Sequence, residues 1–259
     1  MGTAARASAR VLVMAALAGG LPPVPSALAQ TAARPCGSGG CTDAGSAGLA
    51  QPAGGAPAGG MSPSVGAAAS GRFDFYVLAL SWSPGFCATG GGSKARAQCA
   101  TGSGLGFVVH GLWPQNAHGF PSDCGAAGRS PSRQSLETVR GVYPDEGLAR
   151  YEWHKHGTCT GRSPTDYFAD VRRARDGVVI PPGFQTPHED QTWVPLDVAR
   201  AFAAANPGLR TDEMAVTCRG GTLEEVRICL AKDLRGYVPC PEVARASCRG
   251  GGMDVPPER

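Results

Sequence analysis

The sequence predicts an α+β domain that is held together by disulfides. Segments with strand-like and helix-like patterns follow one another in the region 71–259 without a regular strand–helix alternation. The same region holds eight cysteines, an even number, and it contains no visible internal repeat.

Two strands are predicted near the start of this region. The segment Phe73–Trp82 is rich in aromatic and apolar residues at both sets of alternating positions, which indicates a central strand covered on both faces. Leu105–His110 is the second strand, and we expect it to end at Gly111 because Pro114 stops its continuation. The histidine that ends this strand and Trp113 would then lie at a strand end and turn, where functional groups are often displayed.

Helices are predicted in the middle of the region, and two further strands follow them. The clearest helix begins after Ser163, which suits the N-cap position, with Pro164 at the first helical position. Other helices are expected near residues 135–140, 148–155 and 195–205, and strands at 214–218 and 223–230. In the last strand, Val226 and Ile228 alternate with Arg227, which is typical of a strand.

Residues 1–29 have the pattern of a secretory signal peptide. Arg6 and Arg10 form a basic start, Val11–Ala18 is an apolar run, and Ala27–Ala29 is a small-residue cleavage site. The apolar run is far shorter than the roughly 20 residues that span a bilayer, so we predict export with cleavage and no membrane anchor. The mature protein would then be periplasmic or extracellular.

Residues 30–70 are predicted to be a disordered linker. They consist mainly of Ala, Gly, Ser and Pro, and such a segment cannot bury enough surface to offset its ordering entropy. Cys36 and Cys41 lie in it and could form a local disulfide or pair with another chain. Residues 71–259 then form one domain of ordinary size.

The charge balance argues against a protein that simply holds nucleic acid by electrostatics. The formal net charge is +3 for the whole chain and +1 without Arg6 and Arg10. Proteins that neutralise many phosphates usually show a clear basic excess. A polyanion would therefore be held locally and briefly, as an enzyme holds its substrate.

The eight cysteines of the domain indicate a disulfide framework, because an exported protein folds in an oxidising compartment. They are Cys87, Cys99, Cys124, Cys159, Cys218, Cys229, Cys240 and Cys248. Spacing alone favours two short loops, 87–99 and 229–240, and leaves the pairing of the other four cysteines open.

Two short segments combine histidines with other polar and aromatic residues. The first contains His110 and Trp113, and the second contains Glu152, Lys155 and His156. Cleavage of RNA by its own ribose 2′-hydroxyl requires a base, an acid and a group that stabilises extra negative charge on the phosphate. Two imidazoles with a pKa near ~6.5 and an ammonium group supply these functions. The indole offers a surface on which a base could stack.

Helical spacing sorts the residues of the second segment. If residues 151–156 are helical, Glu152, Lys155 and His156 share one face because they are three and four positions apart. Trp153 and His154 then point elsewhere, so His154 is not a catalytic candidate. Lys155 is one of only three lysines in a chain with 21 arginines, which weakly supports a role for its compact charge.

Other interpretations of the same residues are weaker. A zinc site could use His154, His156, Cys159 and His110, but a spacing of two separates the first two histidines on a helix. An oxidising compartment favours Cys159 in a disulfide, which also disfavours a Cys–His hydrolase. The remaining alternative is that His110 and His156 are structural residues of the core.

The two segments resemble the active-site segments of the ribonuclease T2 family. The first is Phe-Val-Val-His-Gly-Leu-Trp-Pro at residues 107–114, and the second is Glu-Trp-His-Lys-His-Gly-Thr-Cys at residues 152–159. The opening strand at 76–87 and the segment 226–229 with its following cysteines are also similar to family members. The resemblance covers most of residues 73–248.

The resemblance implies a central, mostly antiparallel sheet flanked by helices. It also implies an endoribonuclease that cleaves single-stranded RNA without a metal or other cofactor, and we expect a monomer. The product would be a 2′,3′-cyclic phosphate, which is later hydrolysed to a 3′-phosphate. In this scheme His156 is the general base and His110 is the general acid. Glu152 and Lys155 stabilise the pentacovalent state, and Trp113 lines a base-binding pocket.

The resemblance further implies a disulfide pairing. Carried onto this chain, it gives the bridges 87–99, 124–159, 218–248 and 229–240. The 124–159 bridge would tie the loop after the first active-site segment to the second segment.

Two substrate-binding positions depart from the family pattern. Tyr151 stands where many members have a phosphate-binding histidine, and a phenol donates a hydrogen bond without bringing positive charge. We therefore expect weaker phosphate binding with activity retained. Gln115 stands where many members have an aspartate that helps to select the base, so the base preference stays open.

A second function class would use the same scaffold. It is an exported RNA-binding protein or toxin-like effector with weak or no catalysis. The presence of His110, Glu152, Lys155 and His156 favours the enzyme, and analysis of products from a short RNA would discriminate the two classes.

Overall fold

The computed structural model describes residues 70–125, 130–185 and 187–258. The predicted signal peptide, the predicted linker up to residue 69, and Cys36 and Cys41 lie outside the described residues. Within the described ranges, no helix has the length and apolar character needed to cross a membrane. The segment boundaries at residues 29 and 70 stay predictions.

The strands of the described residues belong to one sheet. They are β1 Phe75–Trp82, β2 Phe107–Gln115, β3 Gln191–Trp193, β4 Met214–Arg219, β5 Thr222–Ala231 and β6 Met253–Val255. β1 lies between β2 and β5, the sheet continues through β6 to β3, and β4 also pairs with β5. The pairings are antiparallel except for a parallel one between Thr222 and Asp254.

Helices lie between these strands along the chain. They are α1 Ser83–Ala88, α2 Arg133–Glu137, α3 Glu146–Lys155, α4 Pro164–Asp176, α5 Pro195–Ala205 and α6 Pro241–Ala244. The predicted cap of α4 is present, because the Ser163 hydroxyl accepts a hydrogen bond from the Asp166 amide. The bounds of α5 coincide with those predicted.

Four short elements were not predicted from the sequence. The strands β3 and β6 have three residues each, which is too short for an alternating pattern to stand out. The helix α1 begins directly after β1, with Pro84 in its first turn, where the sequence indicated only the end of a strand. The helix α6 has four residues and also begins at a proline.

The predicted end of the second strand at Gly111 is wrong. β2 continues through Pro114 to Gln115, and Pro114 lies opposite Tyr76 of β1. A proline is tolerated here because β2 is at the edge of the sheet and pairs only with β1. His110 and Trp113 therefore lie within a strand, not at a strand end and turn.

The two faces of the sheet are covered differently. On one face, Leu78, Leu80 and Trp82 of β1 pack into the main core together with Tyr167 of α4 and Phe202 of α5. On the other face, a smaller apolar cluster contains residues of β1, β4, β5 and α6 and the residue that precedes α6, namely Phe75, Val77, Ala215, Cys229, Val243 and Cys240. This smaller cluster leaves part of the second face free for polar groups. We call this second face of the sheet the site face.

Four disulfides join the same pairs of cysteines that the family resemblance implies. They are Cys87–Cys99, Cys124–Cys159, Cys218–Cys248 and Cys229–Cys240. The second bridge connects the loop after β2 to the segment after α3 across 35 residues of sequence. Closing a loop of this length contributes roughly 3.5–4 kcal/mol in the chain-entropy account.

Candidate active site

His110 occupies a β-bulge in β2. The register pairs Ala79 with Gly111 and Leu80 with Val109, so His110 has no partner of its own on β1. Side chains three positions apart normally lie on opposite faces of a strand, and the extra residue of a bulge corrects this parity. His110 and Trp113 therefore share the site face, where their ring centroids are 5.3 Å apart.

β5 brings two charged residues to His110 from the other side of β1. Glu225 lies opposite Ser81, and Arg227 lies opposite Ala79. The carboxylate of Glu225 contacts Nδ1 of His110 in a very short hydrogen bond, and it accepts a second one of 2.8 Å from Nε of Arg227. Glu225 is only 4% exposed, so this carboxylate is buried between the two groups.

α3 places a second buried carboxylate, that of Glu152, against the same histidine. Glu152 is 1% exposed, and its Oε2 accepts a 2.7 Å hydrogen bond from the indole nitrogen of Trp113. Its Oε1 lies 3.6 Å from Nε2 of His110. Gly111 leaves room for this arrangement, because a Cβ there would be 2.2 Å from both Glu152 Oε2 and Trp113 Nε1.

His156 approaches Trp113 from the end of α3. It is the C-cap residue, with φ −124°, and Gly157 follows it. Its buried ring lies 5.4 Å from the ring of Trp113 and 6.2 Å from that of Phe120. Its Nδ1 has no hydrogen-bond partner among the described residues. The indole of Trp113 thus contacts both histidine rings.

Lys155 only partly follows the helical face that the sequence predicts. It lines the same pocket as His156, but its Nζ forms a 2.5 Å ion pair with Asp123, in the loop that follows β2. Asp123 is held near the site because its backbone amide donates to the Lys155 carbonyl at 2.8 Å and because the next residue, Cys124, is bridged to Cys159.

A pocket of about 380 Å³ opens beside Trp113 and His156. Gln115, Phe120 and Val243 are among the residues that line it. The side-chain amide of Gln115 donates a 3.0 Å hydrogen bond to the Gly119 carbonyl, which fixes it at the pocket wall. Phe120 is 59% exposed, and its ring lies 6.2 Å from that of His156.

A second cavity, of about 640 Å³, lies on the other side of the site and includes His110 in its wall. Tyr151 lines this cavity and is 57% exposed. The position that the sequence singled out for phosphate binding is therefore on the His110 side of the site, whereas Lys155 and Gln115 are on the His156 side.

The surroundings drive the pKa values of the two histidines in opposite directions. Burial, the charge of His110 and the charge of Lys155 lower the pKa of His156 to about 4. Burial also works to lower the pKa of His110, but the hydrogen bond and charge of Glu225, together with the charge of Glu152, outweigh it and raise that pKa. His156 is therefore neutral and His110 is positively charged in mildly acidic solution.

The two carboxylates also differ. Burial raises the pKa of Glu152 to about 7, although His110 and the Trp113 hydrogen bond oppose the shift. Burial favours the neutral form of Glu225 too, but its contacts with His110 and Arg227 lower its pKa below the usual value. Glu225 is thus ionised at neutral pH, while Glu152 titrates near it.

The zinc alternative loses a ligand in this structure. Cys159 is in a disulfide, so it has no thiolate to offer a metal or a substrate. Across residues 70–125, 130–185 and 187–258, no group of three or more His, Cys, Asp or Glu side chains is placed to hold a metal ion.

Four residues at the site were not singled out from the sequence: Asp123, Phe120, Glu225 and Arg227. The first two lie in a Gly-, Pro- and Ser-rich loop that gives no pattern. The other two were visible as charges in a predicted strand, but only the strand register shows that they face His110.

Comparison with known proteins identifies the family. A family model described as the Ribonuclease T2 family matches residues 73–240. A ribonuclease of Aeromonas hydrophila is 44% identical over 110 residues, covering 41% of this chain and 48% of that protein. A probable ribonuclease of Haemophilus influenzae is 34% identical over 129 residues, covering 45% and 47% respectively. The chain thus aligns with about half the length of these two curated relatives.

Solved structures agree with the fold. An RNase-related protein from Calystegia sepium has a TM-score of 0.54 at 21% identity, covering 73% of this chain and 99% of that one. A self-incompatibility-associated ribonuclease of Nicotiana alata has the same TM-score at 20% identity, covering 73% and 100%. The predicted α+β fold class is confirmed. With the family match over 73–240, these findings show that the chain belongs to the ribonuclease T2 family.

Proposed function

We propose that this protein is an exported endoribonuclease that cleaves single-stranded RNA by metal-independent transesterification. The observation that carries the proposal is the pair of imidazoles on either side of Trp113, one neutral and one charged. One group is thus ready to take a proton and the other to give one. The relatives from Aeromonas hydrophila and Haemophilus influenzae are named as ribonucleases, which supports the same activity here.

Each histidine has one step in the proposed reaction. Neutral His156 removes the proton of the ribose 2′-hydroxyl, and the 2′-oxygen attacks the adjacent phosphorus. Protonated His110 gives its proton to the departing 5′-oxygen as the phosphorus–oxygen bond breaks. The products are a 2′,3′-cyclic phosphate and a free 5′-hydroxyl. In the slower second step water replaces the leaving group, the roles reverse, and a 3′-phosphate forms.

Glu152 and Lys155 would stabilise the extra negative charge on the phosphorane. Glu152 lies 3.6 Å from His110 Nε2, and its pKa of about 7 allows it to be present as the neutral acid. A neutral carboxyl group can donate a hydrogen bond to a phosphorane oxygen, whereas a carboxylate would repel it. The ammonium group of Lys155 would contribute positive charge from the His156 side. Its ion pair with Asp123 neutralises part of that charge.

The pocket beside His156 is the candidate site for the base on the 5′ side of the scissile bond. Its volume of about 380 Å³ accommodates a nucleobase, and exposed Phe120 offers a face for stacking. The Gln115 amide nitrogen donates one proton to the Gly119 carbonyl, so its second N–H and its oxygen are left to contact a base. Tyr151 lines the cavity on the opposite side and would donate to a phosphate oxygen downstream of the scissile bond.

Export is supported by the disulfides and by the predicted signal peptide. Four bridges in a domain of this size are typical of proteins that fold in an oxidising compartment. We therefore place the mature protein in the periplasm or outside the cell, as a monomer that acts on RNA.

The decisive experiment is the product analysis of a short single-stranded RNA by mass spectrometry, with and without EDTA. We expect fragments that end in a 2′,3′-cyclic phosphate, later a 3′-phosphate, at an unchanged rate in EDTA. Loss of activity in EDTA with rescue by zinc would contradict the metal-independent mechanism. RNA binding without any cleavage would favour the effector function instead.

Gly111→Ala tests the packing that holds Glu152 and Trp113. The new methyl group would sit on the atoms of their hydrogen bond, so we expect a loss of about 1–3 kcal/mol in stability and of about 10²-fold in RNA cleavage. Urea unfolding and initial rates measure the two effects. Gly236→Ala is the control, because its Cβ would meet nothing within 4 Å. Equal behaviour of the two variants would contradict the role given to Gly111.

A further inference from the structure

Glu225 is a buried carboxylate whose partners are all ionic or catalytic. One of its oxygens contacts His110 Nδ1, and the other accepts a 2.8 Å hydrogen bond from Nε of Arg227 and forms an ion pair with its Nη2, also at 2.8 Å. The residue lies in a central strand, and its side chain crosses the end of β1 beside Ser81. A buried carboxylate is costly unless it is paired and hydrogen-bonded, and this one is paired at both oxygens.

We propose that Glu225 is a positioning residue for His110 and that Arg227 keeps Glu225 ionised. The inference rests on the proposed function of the site. It assigns a role to β5, which contributes neither of the two active-site segments. The general acid His110 then works as part of a three-residue unit, Arg227–Glu225–His110.

The hydrogen bond determines which nitrogen of His110 serves the substrate. An ionised carboxylate can only accept, so Nδ1 of His110 carries a proton in both charge states of the ring. Nε2 is then the nitrogen that gives its proton to the 5′-oxygen and becomes neutral afterwards. It faces Glu152 at 3.6 Å, on the side where the phosphate must lie.

Arg227 prevents Glu225 from taking the proton itself. Burial favours the neutral form of Glu225, and the hydrogen bond and charge of His110 are the largest causes that lower its pKa. The guanidinium of Arg227 pairs with the oxygen remote from His110 and lowers that pKa further. The same guanidinium lies over the Trp113 ring, 5.3 Å from its centroid, so it is fixed between the carboxylate and the indole.

Several other groups face His110 and contribute to its titration. Glu152 of α3 raises its pKa and Arg227 lowers it, while His156 is a further positive charge whenever it is protonated. The cavity on the His110 side adds side chains from other elements: Lys94, Asp145, Tyr151, Arg219 and Glu224. The direct hydrogen bond of Glu225 distinguishes it from all of these.

The test is Glu225→Gln, measured by the pH profile of kcat/KM and by NMR titration of the His110 ring. Loss of the negative charge lowers the pKa of His110, so the alkaline limb of the profile moves to lower pH. The amide can also donate to Nδ1 and select the wrong tautomer, so kcat falls on the order of 10²-fold. Glu225→Asp keeps the charge and is expected to restore the position of the alkaline limb.

Glu213→Gln is the matched control. Glu213 is buried like Glu225, but it accepts from the Arg210 amide and lines neither cavity of the site. Its pH profile is expected to follow the wild type. If the alkaline limb of the pH profile moved by the same amount in Glu213→Gln, the effect would come from the loss of any buried charge. That result would overturn the proposal.

Arg227→Gln gives the opposite shift and decides the question if Glu225→Gln does not fold. Without the guanidinium, Glu225 attracts the proton of His110 more strongly, so the His110 pKa and the alkaline limb move to higher pH. An unchanged His110 titration in either folded variant overturns the proposal. Failure of the proposed function would give a different result. The wild type and Glu213→Gln would then yield no cyclic phosphate, although the titration of His110 could still be measured by NMR.

Discussion

His110→Ala and His156→Ala are each expected to lower the turnover of RNA by about 10²–10⁴-fold, the usual contribution of one general acid or base. The two losses have different causes. Without His156, the 2′-hydroxyl keeps its proton and is a poor nucleophile. Without His110, the 5′-oxygen loses its proton donor and must leave as an alkoxide.

A substrate with a better leaving group separates the two roles. When the 5′-oxygen is replaced by sulfur or by a nitrophenolate, protonation of the leaving group is no longer needed. We expect this substrate to restore most of the activity of His110→Ala and none of the activity of His156→Ala. Initial rates on both substrates measure the rescue.

His154→Ala is the control for both variants. It lies in α3, two residues before His156, but its side chain is exposed and lines neither cavity, so we expect near-normal rates. Near-normal cleavage by His110→Ala or His156→Ala would exclude the two-histidine mechanism. If the substrate with the better leaving group rescued His156→Ala and not His110→Ala, the two-histidine mechanism would stand. The roles of general acid and general base would then be exchanged between the two histidines.

The parts of the fold that could be predicted are those in which local pattern and tertiary environment agree. β1 is apolar or aromatic at every position except Ser81, and the structure buries all eight of its residues. α5 begins at a proline, ends before an Asn-Pro-Gly sequence and carries one apolar face, so its bounds follow from local rules alone. The start of α4 could likewise be predicted from a local signal, its N-cap residue Ser163.

The position of His110 could not be predicted, because a bulge is a property of two paired strands. Along the sequence, His110 and Trp113 are three apart, which in a regular strand would separate them. Only the register against Ala79 and Leu80 shows that one residue is extra. The effect of Pro114 likewise depends on tertiary structure, since a proline within a strand is tolerated mainly at an edge of the sheet.

The ion pair of Lys155 shows the limit of helical spacing. The spacing correctly places Glu152 and Lys155 in one helix, α3, and His156 directly after it. It cannot show that Asp123, 32 residues away, competes for the ammonium group. The contact depends on the loop path after β2, which the Cys124–Cys159 bridge constrains.

A row of paired residues across three strands, two of them small, explains why the site lies where it does. Gly111, Ala79 and Arg227 are opposite one another on β2, β1 and β5. The first two have little or no side chain, so the sheet leaves a hollow there, and Glu152 enters it from α3 to meet Trp113. The hollow is therefore lined by ionisable groups from three different elements, and low exposure there is what shifts their pKa values.

Replacing the scissile ribose of a short RNA by 2′-deoxyribose is expected to abolish cleavage at that bond. The nucleophile in the proposed reaction is the 2′-oxygen itself, so the neutral imidazole of His156 would have no proton to remove. The base, the phosphate and both pockets are unaffected, and the modified RNA should therefore still bind and inhibit cleavage of unmodified RNA. Chromatography of end-labelled fragments gives the rate at each bond.

The matched control is the same RNA with its single deoxyribose one nucleotide away, which should be cut normally at the original bond. Cleavage of the modified bond at a normal rate would mean that water, not the substrate's own hydroxyl, attacks the phosphate, and the roles of His110 and His156 would have to be assigned again.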